Sequence, residues 1–163
     1  MARVESSAQK ITPFLWYDGK AEEAAKFYTS IFKNSEIGDI LRAGDAGPGP
    51  KGSVVTVAFT LAGQRFVAIN GGPEFKFTPA ISFFVSCETQ AEVDEFWDKL
   101  SAGGETSQCG WLHDRYGVSW QVVPNILIEL LGDKDAAKAA RVMKAMLKMT
   151  KLDIAALEKA AAG

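Results

Sequence analysis

Few side chains in this sequence could form a reactive centre. His113 is the single histidine, and Cys87 and Cys109 are the two cysteines. A metal centre built on several histidines is therefore excluded within one chain. Cys109 could act as a nucleophile only with a nearby base, and His113 would reach it only across a tight hairpin. We therefore favour an unreactive Cys109 thiol. For His113 we favour an exposed or turn-packed imidazole over a metal ligand.

A second group of residues could bind a ligand without reacting with it. Strand side chains alternate between faces, so we place Phe14 and Trp16 beneath one helix, and Phe83 and Val85 beneath another. The opposite faces then carry a few polar groups among aromatic ones, as a small-molecule pocket does and as an ordinary sheet face also does. The predicted ligand pocket consists of Tyr17, Asn70, Ser82, Phe84, Cys109, Trp111, Ser119 and Gln121.

Three residues in or near the predicted pocket have two interpretations each. Trp111 and Trp120 could stack on a planar ligand or lie in the core, and alternation places Trp120 opposite Gln121. Asp114 could accept a hydrogen bond from His113, or stabilise a turn that ends at Gly117. The sequence alone leaves these alternatives open.

Composition limits the class of protein. The chain has 163 residues, of which 47% are hydrophobic and 23% charged, typical of a globular domain. A net charge of −2 disfavours nucleic acid as a partner. No stretch has the roughly 18 apolar residues of a membrane span, and the N-terminal segment MARVESSAQK lacks the apolar region of a signal peptide. We therefore expect a cytoplasmic protein with free thiols and no membrane or nucleic-acid partner.

An internal repeat organises the elements that must position these residues. An offset of 69 places Phe14 on Phe83 and, without a gap, Phe27-Tyr28 on Phe96-Trp97. Each copy has an apolar strand, a polar turn and an amphipathic helix, followed by further strands. We predict helices from about residue 21 to 32 and from about 90 to 102, the second with a capping box formed by Thr89 and Glu92.

The remaining strands follow from alternation and turn residues. In the first copy we predict strands over 36–42, 53–61 and 65–70, with a glycine-rich connector over 43–52. In the second copy we predict strands over 105–108, 111–113 and 118–123. Three helices follow, starting at Pro124, Asp135 and Asp153. A stripe of Val142, Met146 and Met149 favours packing against the same domain or a second subunit. We predict a single domain, 1–163, with module one at 11–71, module two at 79–123 and a C-terminal helical extension at 124–163.

Several stretches resemble one known family. They are Ile11-Thr12-Pro13-Phe14-Leu15-Trp16-Tyr17-Asp18-Gly19, Asn70-Gly71-Gly72-Pro73, Thr89-Gln90-Ala91-Glu92-Val93-Asp94, residues 110–121 (GWLHDRYGVSWQ), and residues 141–147. All are similar to the PhnB-like family of the vicinal-oxygen-chelate superfamily, which includes glyoxalase I, dioxygenases and antibiotic resistance proteins. The resemblance implies an α+β fold: two βαβββ modules forming a glyoxalase/bleomycin-resistance-type cup, plus C-terminal helices.

The family is often labelled 3-demethylubiquinone-9 3-methyltransferase. Methyl transfer from S-adenosylmethionine usually uses a glycine-rich turn between a strand and a helix. The glycine-rich stretch 44–52 neither follows a βαβ pattern nor opens a helix. We therefore treat the label as a name and not as a mechanism.

The resemblance also implies where a metal would bind. Catalytic members of the superfamily hold a divalent metal with His, Glu or Gln side chains from the first and fourth strand of each module. The repeat places Pro13, Ser82, Val67 or Ala68, and Gln121 at those positions. Only Gln121 offers a usable ligand oxygen, so we expect no bound metal and no cofactor.

Two functions remain open. The first is a metal-free protein that binds a small aromatic or oxygen-rich molecule in the cup. The second is an enzyme, either metal-dependent with ligands completed across a dimer, or acting through Gln121 and hydroxyl groups. A scaffold whose cup is filled by side chains is a third possibility. The superfamily and the apolar strand 54–59, together with the methionine stripe, favour a homodimer.

Overall fold

Thirteen elements follow one another along the chain in a computed structural model that describes residues 9–163. Residues 1–8 lie outside the described residues. They hold most of the segment MARVESSAQK, which we predict not to be a signal peptide. The elements are β1 (Phe14–Tyr17), α1 (Ala21–Ile31), β2 (Glu36–Arg42), β3 (Val54–Leu61), β4 (Gln64–Asn70), β5 (Ser82–Cys87), α2 (Gln90–Ser101), β6 (Glu105–Thr106), β7 (Trp111–His113), β8 (Ser119–Pro124), α3 (Asn125–Leu131), α4 (Ala136–Met146) and α5 (Ile154–Ala162).

The chain divides into two compact units between Lys76 and Phe77. The first holds a four-stranded sheet in the order β1-β4-β3-β2, and the second holds a four-stranded sheet in the order β5-β8-β7-β6. In each sheet the first strand of the module runs parallel to its fourth strand, and the other pairs are antiparallel. The predicted α+β architecture of two βαβββ modules followed by helices is confirmed. The division of the chain into a single domain stays a prediction.

One face of the first sheet packs against α1. Val57, Phe59 and Leu61 of β3 point to this face and are buried, as the alternation predicts. Tyr28 of α1 is fully buried and stacks on Phe59, with ring centroids 6.1 Å apart. Burial stabilises a fold by roughly 25 cal/mol for each Å² of apolar surface removed from water. The apolar face of each strand is therefore the one that packs against the helix.

In the second unit, α2 begins as the sequence predicts. The Thr89 side chain accepts a hydrogen bond from the Glu92 amide over 3.2 Å. The Glu92 carboxylate accepts in return from the amide of Glu88, not from that of Thr89 as in the usual capping box. Val93, Trp97 and Leu100 are the buried residues of this helix.

The face assignment for β1 is wrong. Leu15 and Tyr17, predicted to point away from the helix, are buried, whereas Phe14 is 61% exposed. The turn between β1 and α1 has three residues, and the turn between β5 and α2 has two. The offset of 69 therefore holds for the helices, but the strands correspond with an offset of 70, Leu15 with Val85. A shift by one residue reverses every side chain of a strand.

The C-terminal helices belong to the second unit. Val123 of β8 forms one buried cluster with Leu127, Val142, Leu152 and Leu157. Met146 and Met149 pack against this cluster, so the predicted methionine stripe faces its own unit. In the apolar strand 54–59, Val57 and Phe59 are buried, whereas Val54 and Val55 are half-buried, and the expected homodimer stays a prediction.

The strand β6 is shorter than predicted, because the residues after it bond elsewhere. The amides of Cys109 and Gly110 donate to the carbonyls of Met149 and Thr150, each over 2.8 Å. The Trp111 amide donates to the Gln108 carbonyl over 3.1 Å, so the chain already turns towards β7 after Thr106 and β6 ends there. The bonds from Cys109 and Gly110 attach the segment between α4 and α5 to the second sheet.

Candidate functional site

The second sheet has an open face, which we define as the face opposite α2. Register places seven side chains on it in two rows across the strands, beside a further pair, Ser86 and Val123, of which Val123 packs against the C-terminal helices. The first row is Glu105, His113, Ser119 and Ser82, and the second is Trp111, Gln121 and Phe84. Because neighbouring strands lie about 4.8 Å apart, the members of a row are adjacent.

The polar row contains two direct interactions. The Gln121 amide nitrogen donates to the Ser82 hydroxyl oxygen over 2.9 Å, which joins the two rows. The His113 Nε2 lies 3.4 Å from a carboxylate oxygen of Glu105, and the imidazole is 44% exposed. The Ser82 hydroxyl is half-buried and the His113 imidazole is accessible to solvent, whereas Ser119 in the same row is only 3% exposed.

The second row adds aromatic surface on both sides of Gln121. Gln121 is paired with Trp111 of β7 on one side and with Phe84 of β5 on the other. Phe84 is 48% exposed. Trp120 precedes Gln121 in β8 and lies on the other face of the sheet. It is buried and donates its indole N–H to Asp114 over 2.9 Å. The prediction that Trp120 lies opposite Gln121 is confirmed.

Asp114 stabilises the turn between β7 and β8. Its carboxylate accepts from the amides of Tyr116 and Val118 over 2.8 and 3.1 Å, as well as from Trp120. The amide of Gly117 donates to the Asp114 carbonyl over 2.9 Å. Of the two interpretations of this residue, turn stabilisation is the one that the geometry shows.

Two predicted pocket residues of module one lie on the side of α1. The Tyr17 hydroxyl is 3.1 Å from the Tyr28 hydroxyl within the buried core. The Asn70 side-chain oxygen accepts from the amide of Ala21, the first residue of α1, over 2.8 Å, and its nitrogen donates to Val54. Both side chains hold the module together, and the one-residue shift of β1 explains why alternation assigned Tyr17 to the wrong face.

Neither cysteine lies on the open face. Cys109 precedes β7 with a φ of 61°, and its thiol donates to the Met146 carbonyl over 3.6 Å. Cys87 is fully buried. Burial, together with the nearby negative charge of Glu92, raises the pKa of the Cys87 thiol to about 11. At neutral pH this thiol stays protonated and is a poor nucleophile.

The corrected strand register changes one of the four metal positions. With an offset of 70, Thr12 and not Pro13 corresponds to Ser82, and Val67 corresponds to Gln121. Two hydroxyls, an amide and an apolar side chain do not form the His and carboxylate set that a divalent metal prefers. Residues 9–163 contain no cluster of three or more His, Cys, Asp or Glu with metal-binding geometry.

The architecture places the chain in a known fold class. PA1353 from Pseudomonas aeruginosa is 21% identical, with a TM-score of 0.60, and covers 72% of this chain and 98% of its own. The fosfomycin resistance protein FosX from Listeria monocytogenes is 17% identical, with a TM-score of 0.56, and covers 77% of this chain and 98% of its own. The chain thus has the glyoxalase/bleomycin-resistance-type fold.

The family can be stated more narrowly. A family model described as 3-demethylubiquinone-9 3-methyltransferase matches residues 9–123. A PhnB protein from Bacillus cereus is 46% identical, with a TM-score of 0.66, and covers 71% of this chain and 99% of its own. The chain belongs to this PhnB-like family, as the sequence motifs predict. No functionally curated protein matches it. Within residues 9–163, no helix is long and apolar enough to cross a membrane.

Proposed function

We propose that the chain binds a small, planar, oxygen-bearing molecule on the open face of the second sheet, without a catalytic metal. The observation that carries this proposal is the pair of adjacent rows, one aromatic and one polar, on one face of one sheet. Five of the eight predicted pocket residues belong to these rows: Ser82, Phe84, Trp111, Ser119 and Gln121.

The aromatic row favours a flat ligand. Trp111 and Phe84 flank Gln121 in register, so a ring lying on this row would contact aromatic surface at both ends. Aromatic contacts of this kind contribute roughly 0.5–1.5 kcal/mol each beyond the area that they bury. About half of Phe84 is exposed, so a ligand can contact its ring.

The polar row favours oxygen substituents on that ligand. Because the Gln121 nitrogen donates to Ser82, the serine hydroxyl proton and the amide oxygen remain to bind a ligand. His113, whose Nε2 lies 3.4 Å from a Glu105 carboxylate oxygen, adds an imidazole at the edge of this row. The seven residues of the two rows include no Lys or Arg, so a neutral hydroxyl or carbonyl fits better than a phosphate or a carboxylate.

The same structure supports setting the methyltransferase label aside as a mechanism. The glycine-rich segment joins the antiparallel strands β2 and β3, and no helix follows it. A dinucleotide-type site needs such a segment between a strand and a helix N-terminus. The cytoplasmic location, the homodimer, and the absence of nucleic-acid and membrane partners stay predictions.

A binding screen with a matched pair of variants tests the proposal. Wild-type protein is screened against neutral hydroxylated and carbonyl-bearing aromatic compounds, with a chelator present, and hits are quantified by calorimetry. Phe84→Ala should weaken binding by roughly tenfold or more. Phe14→Ala changes the corresponding exposed residue of the other module and should leave the affinity unchanged.

Two results would contradict the proposal. Binding that appears only after a divalent metal is added would favour the alternative, a metal-dependent enzyme with ligands completed across a dimer. Equal losses of affinity in Phe84→Ala and Phe14→Ala would contradict the placement of the ligand on the second sheet.

A further inference from the structure

Ser119 is a buried residue whose hydroxyl group has no hydrogen-bond partner among residues 9–163. Only 3% of the residue is exposed. Within the same part of the chain, no fully enclosed side-chain oxygen or nitrogen lacks a partner, so the exposed part of Ser119 includes its hydroxyl oxygen. A polar group that is largely withdrawn from water without a partner costs free energy. Stability alone therefore does not account for a serine at this position.

The neighbours of Ser119 in the polar row are directed elsewhere. Register places its side chain between Ser82 of β5 and His113 of β7. The Ser82 hydroxyl accepts from Gln121 over 2.9 Å, and the His113 imidazole lies 3.4 Å from a carboxylate oxygen of Glu105. Neither neighbour bonds to the Ser119 side chain. Its hydroxyl can therefore donate to, or accept from, a molecule on the open face.

Asp114 fixes the chain on both sides of Ser119. Its carboxylate accepts from the amide of Val118 over 3.1 Å and from the indole of Trp120 over 2.9 Å. Val118 and Trp120 are both buried. The backbone at Ser119 cannot turn towards another partner without breaking these bonds. The hydroxyl is therefore preorganised for a ligand, which lowers the entropy cost of binding.

We propose that Ser119 determines the specificity of the ligand site by binding an oxygen atom of the ligand together with Ser82. This inference rests on the proposed ligand site and adds which end of the ligand binds where. Ser82 and Ser119 are register partners on adjacent strands, which lie about 4.8 Å apart, so one oxygen atom can contact both hydroxyls. A ligand that lacks this oxygen cuts the Ser119 hydroxyl off from water and leaves it unpaired, so it binds more weakly.

The spacing of the two rows indicates a ligand with a single ring. Ser119 and Gln121 are two residues apart in β8, so they lie about 6.6 Å apart along the strand. This is close to the length of one six-membered ring with an oxygen attached. Beyond Gln121 on the same face, Val123 packs against the C-terminal helices, which leaves no open surface for a second ring. The ligand class is therefore a monocyclic aromatic compound whose oxygen is attached to the ring directly or through one carbon atom.

The test titrates three proteins with two single-ring probes that differ by one oxygen atom, para-cresol and toluene, followed by NMR. Wild type should bind para-cresol more tightly than toluene. Ser119→Ala should weaken the binding of para-cresol about tenfold and leave the binding of toluene unchanged or stronger. Ser86→Ala makes the same change at an exposed serine of the same face, outside the two rows, and should keep the wild-type preference.

The unfolding temperature gives a second readout. Because the Ser119 hydroxyl has no partner within residues 9–163, its removal breaks no bond there. Ser119→Ala should therefore unfold at the same temperature as wild type or at a higher one. A serine with a purely structural role would give the opposite result.

The results that would overturn this inference differ from those that would overturn the proposed function. If Ser119→Ala binds para-cresol like wild type, or loses affinity for both probes equally, the role of Ser119 is refuted and the ligand site stands. A lower unfolding temperature for Ser119→Ala than for Ser86→Ala would also refute it. If neither probe shifts the amides of β5, β7 and β8 in wild type, the ligand site itself is contradicted, and the role of Ser119 with it.

Discussion

Gly71 is the position where a single methyl group should do the most damage to the first module. A Cβ atom at this residue would lie 2.2 Å from two atoms of the Trp16 ring and 2.5 Å from a third. Its amide donates to the Tyr17 carbonyl over 3.0 Å, so the backbone cannot move away without losing that bond. The indole of Trp16 donates to the Gly72 carbonyl over 2.9 Å and meets the edge of Phe75. In Gly71→Ala, the indole must leave this place.

The cost follows from what Trp16 gives up. The hydrogen bond to Gly72 is worth about 1 kcal/mol, and the edge contact with Phe75 about 0.5–1.5 kcal/mol. Lost packing of the half-buried ring adds roughly 1–2 kcal/mol. Alanine returns about 0.4–1 kcal/mol by restricting the unfolded chain. We expect Gly71→Ala to lower the free energy of unfolding by about 1.5–4 kcal/mol, and the melting temperature by roughly 2–4 °C for each kcal/mol.

Urea denaturation of Gly71→Ala, with two controls, measures this loss. Gly44→Ala adds the same methyl group where no atom lies within 4 Å, and it should be neutral. In a Trp16→Leu background the clash is relieved, so Gly71→Ala should cost little there. A Gly71→Ala variant as stable as Gly44→Ala would refute the reasoning, and so would an equal loss in the Trp16→Leu background.

Three further predictions concern charged and titratable groups. Asp114→Asn should lower the free energy of unfolding by about 1.5–3 kcal/mol in urea, because one acceptor for the Trp120 indole and the turn amides is lost. Because burial raises the pKa of Cys87 from 9.0 to about 11, stability should fall as pH rises through that window, and Cys87→Ala should remove this part of the fall. A hydrogen bond from Gln90 lowers the pKa of Asp94 below 3.8. Its contribution is present above that value and lost as pH falls further, so acid titration of Asp94→Asn should show a smaller loss.

Most of the fold follows from local signals in the sequence. Helix starts are predicted at Thr89, Asp135 and Asp153, and each of these side chains accepts a hydrogen bond from the first turn of its helix. The repeat locates both modules because α1 and α2 keep the same spacing. What it misses is the extra residue in the turn before α1, where Gly19 has a φ of 70°. Turn length is a local backbone property that an ungapped comparison does not detect.

The sequence also predicts part of the candidate site, where local alternation is enough to assign a side chain to a face. Ser82, Phe84 and Gln121 share one face of the second sheet, as alternation along β5 and β8 predicts. Tyr17 and Asn70 are assigned to a pocket but pack with α1. The place of His113 beside Glu105 is missed, because the irregular segment 107–110 hides the register of β6 with β7. Hydrogen bonds to the C-terminal segment set that register, and they join residues far apart in sequence.

Chemical-shift mapping of a bound aromatic compound, with a chelator present, tests the central claim most directly. Backbone amide spectra are recorded while the best neutral hydroxylated compound from the screen is titrated. The account predicts saturable shifts concentrated at β5, β7 and β8, around Phe84, Trp111 and Gln121, with no metal added. Shifts confined to other elements, or shifts that appear only after a divalent metal is added, would contradict it.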